Sequence, residues 1–313
     1  MVKFILKRIF IAIPVLFGIS IIAFFLVRLV PGDTVTAMLG ANYNEEQAEV
    51  LRSKYGLDKP LMVQYFIWIS NVLQGDFGES TFTSQPVISA IMERLPVTIE
   101  LTILSLLFAI IIAIPLGSIA AIRRNTLIDY FASFFGLIGI SIPRFWLATI
   151  MILLLSLKMG RLPSGGFVSF FEDPIANLQC MVMPVIAMGT SVGAVIMRMT
   201  RSTMLEVIGQ EYIKMARAKG VPNSLLVWKH ALKNALIPVV TVIGIQAGYL
   251  MGGTVVIEQI FSLPGIGLLA LQAITNRDYA LLQGTILFIA SAFVIINLFV
   301  DIIYAFLDPK IRY

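Results

Sequence analysis

The chain alternates long apolar stretches with polar segments. Five stretches, 9–27, 101–122, 174–197, 235–257 and 279–300, contain no Asp, Glu, Lys or Arg, and a sixth, 130–157, is interrupted once, by Arg144. The hydrocarbon core of a bilayer is about 30 Å thick and takes about 20 apolar residues of helix to cross. No water is available there to pair backbone N–H and C=O groups, so each stretch is expected to be α-helical. The pattern predicts an all-α membrane protein with six transmembrane helices. The first stretch exceeds the roughly 7–15 residues of a signal-peptide core. Arg28, Val30 and Pro31 stand where a cleavage site of small residues would lie, so the stretch is read as a retained helix.

The polar segments differ in kind. Segment 31–98 is too long for a simple loop. Within it, 45–54 reads as a polar helix, Pro60 opens a second helix through Tyr65, Trp68 and Ile69, and Gly75, Gly78 and Pro86 punctuate the remainder. The chain thus divides into 1–30 (N-terminus and first span), 31–98 (an extracytoplasmic helical segment) and 99–313 (the core transmembrane domain). The core contains a hinge-like elbow at 206–234. There, 206–219 reads as a helix stopped by Gly220, Val221 and Pro222 turn the chain, and Asn223 or Ser224 caps a helix over 225–234. Tyr212, Met215, Ala216 and Lys219 share one face by helical spacing. Such an elbow can dock into a groove on a partner or lie on anionic lipid.

Composition supports the membrane reading. Apolar residues make up 58% of the 313 and charged residues 13%, against about 25% charged in soluble domains. Mean hydropathy is +0.91. The net charge of +5 does not point to nucleic acid, because the cations lie between the apolar stretches. With the N-terminus inside, fourteen Lys and Arg fall on inner segments and eight on outer ones. By the positive-inside rule this places both termini and the elbow in the cytoplasm.

Little chemistry is written into the chain. There is no G-x-x-x-x-G-K-[ST] phosphate loop, and a single Cys180 and a single His230 leave no metal cluster. The spans carry no Asp or Glu at their centres, where ion-driven carriers usually need ionisable groups. Energy is therefore expected from another subunit, and no enzymatic constellation appears. Arg144, a cation at membrane depth, is the candidate for lining a passage and attracting a substrate carboxylate. Gly244, Gly248 and Gly252 recur every fourth residue and are read as a helix-packing stripe. Pro143, Pro184 and Pro238 are candidate kinks. A stand-alone secondary carrier or channel is the competing reading.

At the elbow the residues become recognisable. Tyr212-Ile213-x-x-Ala216-Arg217-Ala218-Lys219-Gly220, followed by His230-Ala231-Leu232-Lys233-Asn234-Ala235-Leu236-Ile237-Pro238, resembles the cytoplasmic signature of binding-protein-dependent ABC importer permeases. It is most similar to the branch serving dipeptides, oligopeptides, glutathione and nickel. Further similar stretches are Val30-Pro31-Gly32-Asp33, Tyr55-Gly56-Leu57-Asp58-Lys59-Pro60, Gly75-Asp76-Phe77-Gly78-Glu79-Ser80 and Arg94-Leu95-Pro96-x-Thr98. Glu258-x-x-Phe261-Ser262-x-Pro264-Gly265-Ile266-Gly267, Arg277-Asp278-Tyr279 and Asp308-Pro309-x-Ile311-Arg312-Tyr313 complete the set. The wider family has Glu-Ala-Ala where Lys214, Met215 and Ala216 stand here, so only the second Ala is kept. The resemblance is to the first of two paired permeases.

It implies the type I ABC importer permease fold and a multi-pass location in the cytoplasmic (inner) membrane. It also implies a pathway shared with a second homologous permease, two cytoplasmic ATPase subunits and an extracytoplasmic substrate-binding protein. Tyr212, Ala216, Arg217, Ala218, Lys219, Gly220 and Pro222 would form the coupling elbow. ATP and Mg would be bound by the partner subunits, with no cofactor in this chain. Peptides are the first expected cargo, with glutathione and nickel chelates open.

Overall fold

The computed structural model describes residues 2–28, 34–39, 43–54, 56–252 and 255–307. Residues 30–33, Tyr55 and 308–313, which carry part of the resemblance, lie outside the described residues. The described chain is helical. Its elements are α1 (Val2–Arg28), α2 (Thr34–Leu39), α3 (Glu45–Lys54), α4 (Leu61–Leu73), α5 (Val87–Ile122), α6 (Leu127–Ser141) and α7 (Arg144–Met151). They continue with α8 (Pro174–Ile208), α9 (Glu211–Ala218), α10 (Asn223–Leu225), α11 (Leu232–Gly252), α12 (Val255–Ile260), α13 (Ile266–Thr275) and α14 (Tyr279–Leu307). α7 runs on as a π-helix, Ile152–Lys158, and a π-helical stretch, Leu226–Ala231, joins α10 to α11.

Five helical segments are long and apolar enough to cross a membrane: α1, α5, α8, α10 through α11, and α14. The third predicted span is not straight. α6 and the α7 segment meet at 95°, because Pro143 forces Ile142 into an extended conformation (φ −73°, ψ 121°) that ends α6. The pair still connects the two ends of the bundle. Asp129 near its start binds Arg201 close to the elbow, while the loop after it is held at the opposite end by Gly166 N–H donating to the Phe261 carbonyl (2.8 Å). It therefore serves as the sixth crossing. Pro184 and Pro238, the other proposed kinks, lie inside helices that continue through them.

Several boundaries differ from the charge-free windows. α5 begins at Val87 and spans 36 residues, about 54 Å of helix. A helix does not stop where lipid stops, and Glu93, Arg94 and Glu100 on its outer turns hid its start. α11 ends at Gly252, so the fifth span stops short of the window's end at 257, while its helix starts earlier, at Asn223. In the 31–98 segment, α3 occupies 45–54 as expected, and Pro60 precedes α4. α4 is fastened to α1 by hydrogen bonds between Ser20 and Tyr65 (2.8 Å) and from Arg28 to Gln64 (2.8 Å). At α3, the Tyr43 hydroxyl and then the Arg52 guanidinium hold the exposed Glu45 carboxyl below the usual carboxylate range.

The core is built on α5 against α8. Ala109, Ala113, Gly117 and Ala121 form a buried stripe of small residues along α5, and Gly189 and Gly193 answer it from α8. Small residues let helix backbones approach closely where lipid supplies no hydrophobic driving force. At Gly117 the approach is tightest, since an added Cβ would lie 2.6 Å from the Met197 carbonyl oxygen. Gly117→Val is accordingly expected to force the two helices apart and destabilise the protein by about 1–3 kcal/mol. Thermal unfolding of the detergent-solubilised protein reads this directly, and an unchanged midpoint would contradict the packing described.

Candidate functional site

The structure gathers the seven elbow residues at one end of the bundle and places Arg144 apart from them, at the crease between α6 and α7.

The elbow differs from its expected form. α8 continues to Ile208, so residues 206–208 belong to that span, and the first elbow helix is only α9. The second is no separate helix. From Asn223 it runs through the π-helical stretch into α11, since no residue there breaks the backbone pattern. Pro222 occupies the N-cap position (φ −54°, ψ 139°) and no side chain caps the helix. Proline is pre-set for that backbone, so neither Asn223 nor Ser224 is needed.

The turn itself is specified by Gly220. Its φ is +78°, in the left-handed region where glycine avoids the Cβ penalty. Gly220 N–H donates to the Arg217 carbonyl (3.0 Å) and Val221 N–H to the Ala216 carbonyl (3.2 Å). These are the paired bonds of a Schellman motif, which satisfy carbonyls left open at a helix end.

The face shared by Tyr212, Met215, Ala216 and Lys219 is exposed apart from the half-buried Ala216. Ile213 is the inward anchor of α9 and Ala216 is half-buried, while Tyr212 and Met215 point outward at 44% and 60% exposure. Ile213, Ala216 and Val221 pack on Ala121 of α5, Met204 of α8, and Leu226, Val227, Ala231 and Ala235 of the following helix. Asn234 also donates to the Tyr212 hydroxyl (2.7 Å), bracing α9 against α11. The elbow is thus fixed to three spans, leaving Tyr212, Met215, Leu225 and Trp228 exposed among the cations Arg217, Lys219, Lys229 and Lys233. His230 is exposed beside them and Cys180 is buried in α8.

Close to the elbow, Arg201 of α8 makes a bidentate ion pair with the buried Asp129 of α6 (2.6 and 2.8 Å). Asp129 also accepts from Asn125 N–H (3.0 Å). This pair, absent from the sequence reading, links the elbow end of α8 to the bent crossing.

Arg144 opens α7. It is half-buried, and among the described residues its one hydrogen bond runs from Nε to Ser191 Oγ of α8 (2.7 Å). Beside it lies a cleft of about 480 Å³, completed by Gln246 and Tyr249 of α11. Clefts holding small ligands commonly measure about 300–1,000 Å³. Ser191 and Gln246 are polar residues inside apolar stretches, a signal a scan for intramembrane polar groups would have raised.

Gly244, Gly248 and Gly252 face α14, where added Cβ atoms would meet Val300, Phe293 and Ile289 respectively. Among the described residues no cluster of three or more His, Cys, Asp or Glu could hold a metal ion.

At the end opposite the elbow, Glu258 is fully buried. Its carboxyl accepts from Thr98 Oγ1 (2.9 Å) and from Leu268 N–H (2.7 Å), and Thr98 Oγ1 in turn accepts from Ile266 N–H (2.9 Å). Two side chains from other elements therefore cap α13, whose own N-cap, Gly265, has no side chain to do so.

Residues 113–313 match the family described as the binding-protein-dependent transport system inner membrane component, and residues 1–102 match the N-terminal part of such components. The chain is 43% identical over 313 residues to a Brucella abortus (strain 2308) protein provisionally named a peptide transport system permease, covering all of both chains. It is 39% identical over 333 aligned residues to the dipeptide transport system permease protein DppB of Alkalihalophilus pseudofirmus, again covering all of both. To the glutathione transport system permease protein GsiC of Escherichia coli (strain K12) it is 39% identical over 313 residues with full coverage of each.

Proposed function

The chain belongs to the family of binding-protein-dependent transport inner membrane components, in the branch of dipeptide, oligopeptide and glutathione permeases, and on that premise we propose that it forms half of the passage of an ATP-driven peptide importer. It is a multi-pass membrane subunit of a transporter that works with a binding protein and an ATPase. In finer detail, a second homologous permease completes the passage, two ATPases engage the paired elbows, and an extracytoplasmic binding protein delivers cargo. ATP and Mg sit in the ATPases. Both termini and the elbow lie in the cytoplasm, a placement favoured by the excess of Lys and Arg on that side. Peptides are the cargo, and glutathione or a nickel chelate is the alternative.

The observation that carries this reading is the elbow: a sharply turned surface of mixed apolar and cationic residues whose buried side grips α5, α8 and α11. A motor that closes on ATP can reorient a passage only if one passage state suits the closed motor better than the other. An elbow anchored in three spans transmits that preference to all three. Through Asp129–Arg201 it also reaches α6.

Affinity purification of the solubilised chain from its native membrane tests the proposal. The expected result is recovery of a second permease and ATPase subunits, with ATP-dependent uptake only when the binding protein is added. Uptake by the purified chain alone under an ion gradient would select a stand-alone carrier instead.

A further inference from the structure

We propose that the cleft at the α6–α7 crease recognises the free carboxylate of the transported molecule, with Arg144 and Gln246 as its specificity-determining residues. This rests on the chain being a peptide permease subunit.

The argument begins with an uncompensated charge. Arg144 Nε is taken by Ser191, and among the described residues no carboxylate pairs with the guanidinium. A hydroxyl satisfies one donor but neutralises nothing. The two terminal amino groups remain, and together they form the end-on edge that receives a carboxylate through two parallel N–H···O bonds. Lipid phosphate on the elbow face is out of reach. All 15 residues of α6 separate the crease from the elbow end, about 22 Å of helix, and Gln246 lies inside an apolar stretch. A half-buried cation facing hydrocarbon is costly, so the open side of the cleft faces the passage.

The cleft holds about 480 Å³ beside the guanidinium, within the range of small-ligand sites. Gln246 and Tyr249 line the same space. A glutamine amide presents both a donor and an acceptor, the complement of the peptide group separated from a terminal carboxylate by one Cα. An α-carboxyl, with a pKa of about 3.3–3.7, is ionised at neutral pH.

The test uses the complete transporter, with its second permease, ATPases and binding protein, in proteoliposomes. The probe is a library of peptides of two to five residues, prepared as free acids and as C-terminal amides, and uptake is read by mass spectrometry. The readout is the acid-over-amide uptake ratio relative to wild type, in which the binding protein's own preference cancels. Arg144→Gln is expected to lower that ratio about tenfold, and Arg144→Lys, which keeps charge but loses the fork, by less. Gln246→Glu places a competing carboxylate in the cleft and should lower the ratio as well, which carries the test if Arg144→Gln does not assemble. An unchanged ratio in the assembled variants overturns the proposal. So does an equal loss of acids and amides, which would assign Arg144 to pairing with the second permease. Failure of the wild-type complex to carry any peptide overturns the peptide-permease reading itself, a result distinguishable from both.

Discussion

Gly220→Val in the assembled transporter is expected to reduce ATP-driven uptake by at least about tenfold while the spans still insert and pack. The residue sits at φ +78° with open space around the position of a Cβ, so the penalty is conformational rather than steric crowding. A left-handed residue with a side chain costs about 1–2 kcal/mol, and a β-branched one is the worst case. The turn would relax by abandoning the bonds from Gly220 and Val221 to the Arg217 and Ala216 carbonyls, displacing the exposed residues 217–220 while Ile213 keeps its buried seat. The consequence is uncoupling without loss of the packing between the spans. Asparagine tolerates this backbone region far better, so Gly220→Asn should retain most activity. That ordering separates loss of the turn from loss of glycine as such. Arg217→Glu, which reverses an exposed charge without touching the turn, should weaken ATPase association at unchanged thermal stability. Wild-type uptake and ATPase co-purification in both Gly220→Val and Arg217→Glu would refute the role of the elbow.

The second large effect is structural. Glu258→Ala removes the acceptor for Leu268 N–H and for the Thr98 hydroxyl inside a fully buried site. Each stranded group costs about 1–3 kcal/mol, and the vacated volume adds to it. The expected loss is about 3 kcal/mol or more, seen as a lower unfolding midpoint in detergent. Hydrogen exchange should accelerate first in the opening turn of α13, which loses its cap. Glu258→Gln keeps an acceptor and should cost less. Uniform protection of 266–275 in Glu258→Ala would show that the carboxyl is not what holds this helix.

The parts legible in the sequence were those that lipid enforces. A membrane interior excludes charge from long windows, so the long apolar helices followed from where Asp, Glu, Lys and Arg are missing. The same criterion missed helix ends, since α5 and α8 keep their backbone bonding beyond the apolar zone, where charges are welcome. Pro143 announced an interruption, but its 95° angle depends on how α7 packs against α8 and α12, which no local pattern contains. At the elbow, Gly220 was readable because a left-handed stop has few alternatives. The inward face was not, because Tyr212, Ile213, Met215 and Ala216 are all compatible with burial and only the neighbouring helices choose Ile213. The Arg144 cleft was half legible: the lone cation stood out, but Ser191, Gln246 and Tyr249 come beside it only once the crease has formed. The Asp129–Arg201 pair joins residues 72 positions apart on separate helices and leaves no trace in spacing.

Site-directed cross-linking from the elbow decides whether it meets an ATPase subunit. The chain has a single cysteine, Cys180, so a Cys180→Ser, Lys219→Cys protein offers one thiol at the turn. In inside-out membrane vesicles containing the whole transporter, a short bifunctional thiol reagent is expected to join that position to an ATPase subunit, with a yield that changes when ATP is bound. Labelling of position 219 by a membrane-impermeant reagent added outside intact cells, with no ATPase adduct from either side, would contradict the account.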